Sequence, residues 1–588
     1  MIKKNFSLLF QEERKKFFIL VIVVLISSSL EILGLFSVMP FIAIVSDQNI
    51  IENSKFLSKF YYFTDNWFNF EDINNFIVFL GVVSICGIVL SLFFRLINIY
   101  LITKFVNDKE YNTTSYLLSK YLNQPYKWLF HQNISQINKN ILSEVHLVLT
   151  ASLLSFLNLF SHMLLTCFVI LILILANPIL STSIIIGIGL VYLLIYLTLK
   201  KKILSIGKIR IETNSKRFET VNKAFSSFKI VKLLNLEDYF TDEFKKSSKE
   251  YYNTHILSDI YSISPRFLVE AIIFTGIISF ILFFIIQGKN FINILPVLSL
   301  YALAAYKILP SIQQIFFSVS RIKFSEQALN SLHKELDLGS NIKNDISNNN
   351  LKNLNFNKSI KLENVSFSYK NDKQILKNIN LIISSNSKIG IVGKTGSGKS
   401  TLVDIIMGLL NPNSGKVLID GKNLDISTFQ EWKKYIGYVP QQIYLSDNSI
   451  KNNIAFGVND EDIDLEKIKY VSKLSNIDEY IEKLPNKYDT LVGERGVRLS
   501  GGEIQRIAIA RAMYRQPKIL ILDEATSSLD YLTEEKIINS IEKQISDNVT
   551  VIHIAHRLQS LKNCDKIYIM DQGEIKQEGT YKTLFENK

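Results

Sequence analysis

Six apolar runs, each long enough to cross a bilayer as a helix, fill the first half of this chain and decide what it can fold into. A helix spanning the hydrocarbon core needs about 20 residues. The runs fall at roughly 17–46, 76–103, 148–176, 178–199, 267–287 and 291–309. The third and fourth are parted only by Asn177 and Pro178, which makes them a tight helical hairpin. The first is longer than the core of a signal peptide and carries no small-residue cleavage pattern, so it is expected to stay as an anchor. Beyond about residue 325 the apolar runs stop and the sequence reads as a water-soluble domain.

The chain carries 66 Lys+Arg against 54 Asp+Glu, a formal net charge of +12. A basic balance serves either nucleic acid or an anionic membrane surface. Here the positive charge sits between the apolar runs, which favours the membrane and no nucleic acid. The N-terminal tail has five cations (Lys3, Lys4, Arg14, Lys15, Lys16), the segment between the second and third runs has five, and the segment from Lys200 to Arg266 has fourteen. The alternate loops hold two (Lys55, Lys59), none and one (Lys289). The positive-inside rule then places six spans with both termini in the cytoplasm. The two long cytoplasmic segments show helical spacing of apolar residues, so the membrane helices are expected to continue into water. Short crossing helices are expected at Lys127–Ile137 and Phe228–Phe240. Cys86, Cys167 and Cys564 are too few and too scattered for a disulfide framework or a zinc site, and the first two are expected as core residues.

An Asn-rich linker leads to the second half, giving domains at 1–325 and 359–588 with a linker at 326–358. Gly393, Lys394, Thr395, Gly396, Ser397, Gly398, Lys399 and Ser400 form a G-x-x-x-x-G-K-[ST] loop between an apolar strand (Lys388–Val392) and an apolar helix beginning at Thr401. Glycines let backbone amides wrap phosphates, Lys399 reaches the β- and γ-phosphates, and the Ser400 hydroxyl can hold Mg²⁺. Farther on, Lys518–Leu522 is an uninterrupted apolar strand ending in Asp523-Glu524. Asp523 can bind Mg²⁺ through water, and Glu524 can polarise the attacking water. Ser500, Gly501 and Gly502 precede a helix expected to begin near Ile504, a second anion-holding helix start. It is most useful if it completes the site of a second copy of the chain.

These motifs resemble those of ATP-binding cassette exporters, with a six-span helical membrane domain fused ahead of an α/β P-loop NTPase domain. The resemblance implies that Tyr369 stacks on adenine and that Gln441 contacts Mg²⁺. It also implies that Leu499–Arg506 is the signature sequence, that Asp530 lies at the dimer seam, that His556 meets the γ-phosphate and that Glu524 is the catalytic carboxylate. ATP and Mg²⁺ are the implied cofactors, with Ser400, Gln441 and Asp523 at the metal and Thr401 beside the nucleotide. Thr490–Gly496 is similar to the exporter loop that meets the crossing helices, but has Leu491 where a carboxylate is common.

Arg95, Arg266 and Lys307 lie within or at the edge of spans, at a depth that suits an anionic headgroup or simple snorkelling to the interface. Glu31 and Glu270 are intramembrane carboxylates, and Glu270 can pair with Arg95 or Arg266. Phe56, Phe60, Phe63 and Trp67 form an aromatic stripe on a short outer helix that can lie in the lipid interface. Glu31–Pro40, Tyr121–Tyr126 and Tyr306–Pro310 resemble the membrane domain of lipid-linked oligosaccharide flippases of the PglK type. That resemblance implies a bacterial inner-membrane homodimer moving a polyprenyl-pyrophosphate saccharide, with Lys307 where the subgroup has a third arginine. A general lipid or multidrug exporter and a peptide or protein secretion ATPase are the alternatives.

Overall fold

The computed structural model describes residues 6–7, 9, 11–46, 51, 55–68, 70, 72–176, 178–286, 295–337, 354–369, 374–425, 428–523, 549–555 and 558–586. The chain divides into two units, Met1–Gln124 with Gln132–Gly339, and Pro125–His131 with Ser340–Lys588.

Unit 1 is helical among the described residues. Its helices are α1 (Gln11–Phe36), α2 (Val38–Ser46), α3 (Lys55–Phe68) and α4 (Ile73–Leu122). A short α5 (Tyr126–Leu129) belongs to the other unit. Then come α6 (Ile134–Leu175), α7 (Pro178–Ser226), α8 (Phe228–Leu233), α9 (Glu237–Ile286), α10 (Leu295–Phe324) and α11 (Glu326–Asp337). Four of them, α1, α4, α6 and α7, are long and apolar enough to cross a membrane among the described residues. The fifth and sixth apolar runs fall on α9 and α10, with residues 287–294 outside the described residues.

Helices α4, α7 and α9 have 50, 49 and 50 residues. At 1.5 Å per residue each is about 75 Å long, more than twice a hydrocarbon core of about 30 Å. The expected continuation beyond the membrane is therefore present. The first apolar run, by contrast, is broken at Ser37. Pro40 has no N–H for the Phe36 carbonyl, and at the same break the Ser37 hydroxyl donates to the Gly34 carbonyl at 2.8 Å. Here α1 meets α4 closely: a Cβ on Gly34 would stand 2.7 Å from the Gly87 carbonyl oxygen. Small residues permit such approaches between membrane helices. Cys86 and Cys167 lie on exposed helix faces rather than in a core, as outward residues of a membrane helix do.

The start of the expected linker is a helix instead. Ala328, Leu329 and Leu332 of α11 are buried, a spacing that makes one apolar face, and Tyr121 of α4 donates its hydroxyl to Glu335 at 2.9 Å. The first unit ends at Gly339, fourteen residues beyond the expected domain end at 325.

Ion pairs lock the helical extensions. Lys109 of α4 meets Glu13 of α1 at 2.6 Å. Arg210 of α7 meets Glu144 of α6 at 2.5 Å with side chains only 2% and 7% exposed, and Asn214 donates to the same carboxylate at 3.1 Å. The chain of α6 widens to π turns at Asn140–Glu144 and Leu149–Leu154, and the first ends on this glutamate.

Unit 2 is α/β. Strands β1 (Ser359–Ser368), β2 (Gln374–Ser384), β4 (Ser414–Ile419) and β5 (Lys422–Asn423) make an antiparallel sheet ordered β2-β1-β4-β5. The larger sheet holds β3 (Lys388–Gly393), β6 (Ile436–Val439), β7 (Ile519–Asp523), β8 (Thr550–Ile554), β9 (Lys566–Asp571) and β10 (Glu574–Gly579). Its order is β10-β9-β3-β8-β7-β6, parallel except for the β10 edge. Every residue of β7 is buried, as the uninterrupted apolar run requires of a strand covered on both faces.

Replacing Arg210 by Met leaves the buried Glu144 without its ion-pair partner, held by the Asn214 hydrogen bond and the more distant charge of Lys139, which should cost about 3–5 kcal/mol. A clear drop in the thermal midpoint of the purified chain is expected, with most of it regained in Glu144→Leu/Arg210→Met. Equal midpoints for wild type and Arg210→Met would show that the pair is not a lock.

Candidate functional site

The larger sheet sets the site. Ile391 of β3 and Asp523 of β7 both lie in register with Ile554 of the strand between them, so all three chains leave the sheet along one edge. From β3 the chain turns through the glycine loop into α12 (Lys399–Ile406), and Gly398 is the N-cap residue with φ 101°. Only glycine takes that conformation without strain, and a Cβ there would also stand 2.8 Å from Leu376. Lys399 bridges the loop, donating from Nζ to the carbonyls of Gly393 at 2.7 Å and Lys394 at 3.2 Å. Ser400 is exposed, and the buried Ser397 hydroxyl has no hydrogen-bond partner among the described residues. Unspent donors, an exposed hydroxyl and a nearby lysine fit a Mg²⁺-bound polyphosphate.

Asp523 is buried at the end of β7, and Tyr438 of β6 donates its hydroxyl to it at 3.3 Å. One helical turn beyond Ser400, Asp404 is pushed up to about 6 by burial and then by the charge of Asp523. Burial and the same two carboxylates push the Tyr438 phenol upward. Sequence reading missed both residues. Asp404 was discoverable from its i+4 spacing to Ser400; Tyr438 had no signal. Glu524, Asp530 and His556 lie outside the described residues.

Tyr369 follows β1 and shares a hydrogen bond with the Thr401 hydroxyl at 3.2 Å. Phe367 packs edge-on against its ring at 5.0 Å. Its other neighbour comes from the short excursion 125–131: Phe130 stands edge-on at 5.3 Å, while Lys127 lies over Phe367 at 5.6 Å. The first crossing helix is thus Tyr126–Leu129, shorter than expected, because Asn133 caps a new helix by accepting from the Ser135 amide at 2.9 Å. The second is Phe228–Leu233 rather than reaching Phe240.

The helix after Ser500, α13 (Gly501–Tyr514), begins three residues before the expected Ile504. Ser500 and Glu503 form a reciprocal capping box, the Ser500 amide donating to Glu503 at 2.7 Å and the Glu503 amide to the Ser500 hydroxyl at 3.4 Å. The amides of Gly501 and Gly502 head the helix, where no i−4 carbonyl can take them. Gln441 is exposed in the loop after β6, and Leu491 is 52% exposed in its own loop.

In unit 1 the structure brings together two of the three singled-out cations. Arg95 of α4 and Lys307 of α10 both reach the Glu31 Oε1 of α1, at 3.3 and 2.5 Å. Arg266 stands apart: its Nε meets Glu270 at 2.5 Å and its Nη1 meets Gln313 at 3.0 Å. On α3, Phe60 packs near Phe76, whereas Phe63 and Trp67 are 64% and 79% exposed, so the aromatic stripe is divided between two faces. The Phe56 side chain lies outside the described residues.

The sequence matches the ABC transporter family over residues 376–527 and the ABC transporter transmembrane region over residues 17–263, together about two thirds of the chain. The chain belongs to the ABC transporter family. Its transmembrane and nucleotide-binding domains are fused in the exporter arrangement. In this family the nucleotide-binding domain uses ATP with Mg²⁺. The heterocyst differentiation ATP-binding protein HepA of Nostoc sp. is 34% identical over 365 residues, 62% of this chain and 58% of that protein. The leukotoxin translocation ATP-binding protein LktB of Mannheimia haemolytica is 45% identical over 229 residues, 39% of this chain and 32% of that one. The chain thus spans less than two thirds of the length of these curated relatives. A bacterial Atm1-family ABC exporter with ATP bound superposes with a TM-score of 0.78 at 20% identity, covering 98% of this chain and 96% of that one. This likeness shows the shared fold.

Two outcomes test the site. Phe130→Ala removes the ring backing Tyr369, an aromatic pair worth about 0.5–1.5 kcal/mol, so the Kd for ATP should rise by roughly 2- to 12-fold. Equilibrium binding of a fluorescent ATP analogue checks this, and an unchanged Kd rejects it. Asp404 keeps its proton up to about pH 6 when folded but only to an ordinary 3.8 when unfolded. The stability it contributes is present below the unfolded value and lost as pH rises through 6. Asp404→Asn should therefore raise the thermal midpoint at pH 7.5 in Mg²⁺-free buffer, with the gain gone below about pH 4.

Proposed function

We propose that the chain is an ATP-driven half-transporter, working as a homodimer in the bacterial inner membrane with both termini cytoplasmic. Its proposed cargo is a lipid-linked oligosaccharide or a similar anionic lipid-linked saccharide. The observation that carries this reading is the meeting of Arg95 and Lys307 on one carboxylate inside apolar helices. Charge in a membrane is costly and is kept where it serves a pathway. An excess of positive charge suits a phosphate or diphosphate headgroup. The exposed Phe63 and Trp67 of α3 offer an aromatic face to the hydrocarbon tail.

On this reading two copies clamp two nucleotides, each between the glycine loop of one copy and the Ser500–Gly502 helix start of the other. Tyr369, backed by Phe130 and Phe367, holds the adenine. Lys399 leaves its loop carbonyls for the phosphates, and Ser400, Gln441 and Asp523 hold Mg²⁺, which neutralises charge developing on the transferred group. Glu524 takes the proton of the attacking water, and His556 steadies the γ-phosphate. Closure favours one access state of the membrane unit and hydrolysis releases it, a population shift driven by differential affinity.

A second reading, protein secretion, draws on the likeness to a leukotoxin translocation protein, but that likeness spans only 39% of this chain. Proteoliposomes carrying a fluorescent polyprenyl-pyrophosphate saccharide test the first reading. ATP-dependent translocation is expected, absent in Glu524→Gln and reduced at least tenfold in Arg95→Ala, in keeping with the loss of a charge-assisted contact of about 1.5–3 kcal/mol. Translocation insensitive to Arg95 returns that residue to a structural role. No translocation, with ATP hydrolysis stimulated by uncharged amphiphiles, rejects the flippase in favour of a drug or general lipid exporter.

A further inference from the structure

The Glu31 cluster has an odd charge count. One carboxylate oxygen is shared by two cations from two other helices. Glu31 and Lys307 are 12% and 19% exposed, while Arg95 is 47% exposed, so the cluster is accessible from the Arg95 side. His162 of α6 lies within the electrostatic reach of all three charges. Its Nδ1 is buried and has no hydrogen-bond partner among the described residues. A native fold satisfies nearly all such atoms, so an orphaned ring nitrogen within electrostatic reach of this cluster calls for an explanation. The Arg266 group is balanced in charge, one guanidinium on one carboxylate and one amide, although it too has an unpartnered buried neighbour in the Tyr192 hydroxyl.

We propose that Glu31 is a displaceable counter-ion: the phosphate or diphosphate of a lipid-linked substrate takes its place on Arg95 and Lys307, and the released carboxylate turns to the buried Nδ1 of His162. The inference rests on the anionic-cargo reading above and adds a selection step to it. Two cations without a counter-charge are costly among apolar helices, and Glu31 removes that cost while the site is empty of cargo. A ligand must then outcompete an internal carboxylate. A diphosphate carries more charge and more acceptor atoms than Glu31 and does so; an uncharged amphiphile does not, which makes the counter-ion a filter against neutral lipids. A carboxylate set loose in the same surroundings needs a donor, and a neutral imidazole protonated at Nδ1 supplies one.

The test uses the full chain in neutral-lipid nanodiscs and equilibrium binding of a fluorescent polyprenyl diphosphate. Glu31→Gln removes the competitor and should bind the probe about tenfold more tightly. His162→Ala should bind about fivefold more weakly in the wild-type background and within twofold of its parent in the Glu31→Gln background, a coupling that a merely structural histidine would not show. If Glu31→Gln proves unfolded by gel filtration, Glu31→Asp replaces it; the shorter acid reaches both cations less well, so intermediate tightening is expected. Inorganic pyrophosphate, with Arg95→Ala as the blank for binding at the ATP site, separates a lipid-linked headgroup from free phosphate: weak competition is expected, and competition as strong as the lipid's overturns the lipid assignment. Probe binding that Arg95→Ala abolishes but Glu31→Gln leaves unchanged keeps the anion site and defeats the counter-ion. No probe bound by any of these proteins defeats both.

Discussion

In hydrocarbon no water completes the hydrogen bond of a backbone amide, and the form of the membrane unit follows from that one constraint. It imposes helices, and three of them run on for about 50 residues. It also governs the polar side chains. Ser27, Thr166 and Ser262 return their hydroxyls to carbonyls of their own helices. Around the break before Pro40, two serines bond nearby carbonyls: Ser37 takes that of Gly34, and Ser84 of the neighbouring helix takes that of Ser37 at 2.8 Å. The few charges are drawn together because each alone would be intolerable, so carboxylates and cations separated widely in sequence end on the same spot.

The nucleotide unit answers a different demand. Its central strand β7 is buried along its whole length, so chemistry is confined to the sheet edge where the strands end. Asp523 and the glycine loop share that edge because β3, β8 and β7 are in lateral register. Burial there, and then the charge of Asp523, also raises Asp404.

How much of this was legible depended on how local the determinant was. The apolar runs, the glycine loop and the β7 strand are contiguous, and spacing alone revealed them. Arg266 with Glu270 is an i,i+4 pair, visible as a possibility from the sequence. Arg95, Glu31 and Lys307 lie on three helices, and no spacing rule joins residues 64 and 276 positions apart; only packing does. The helix start at Gly501 escaped because glycines are poor helix formers, and the Ser500–Glu503 box outweighs them. Residues Glu326–Asp337 looked like linker because the polar Asn-rich stretch follows directly, although Leu329 and Leu332 already marked a buried face.

The excursion at 125–131 has a consequence for dissecting the molecule. Seven residues flanked on both sides by the helical unit are counted with the nucleotide unit, and one of them, Phe130, lies against the ring of Tyr369. A soluble fragment cut at Ser340 would therefore not be the intact domain. It would lack part of its own wall, show bare aromatic surface at Phe367 and Tyr369, and aggregate more readily. Any nucleotide affinity measured on such a fragment would describe a site missing a piece supplied by the distant first third of the chain.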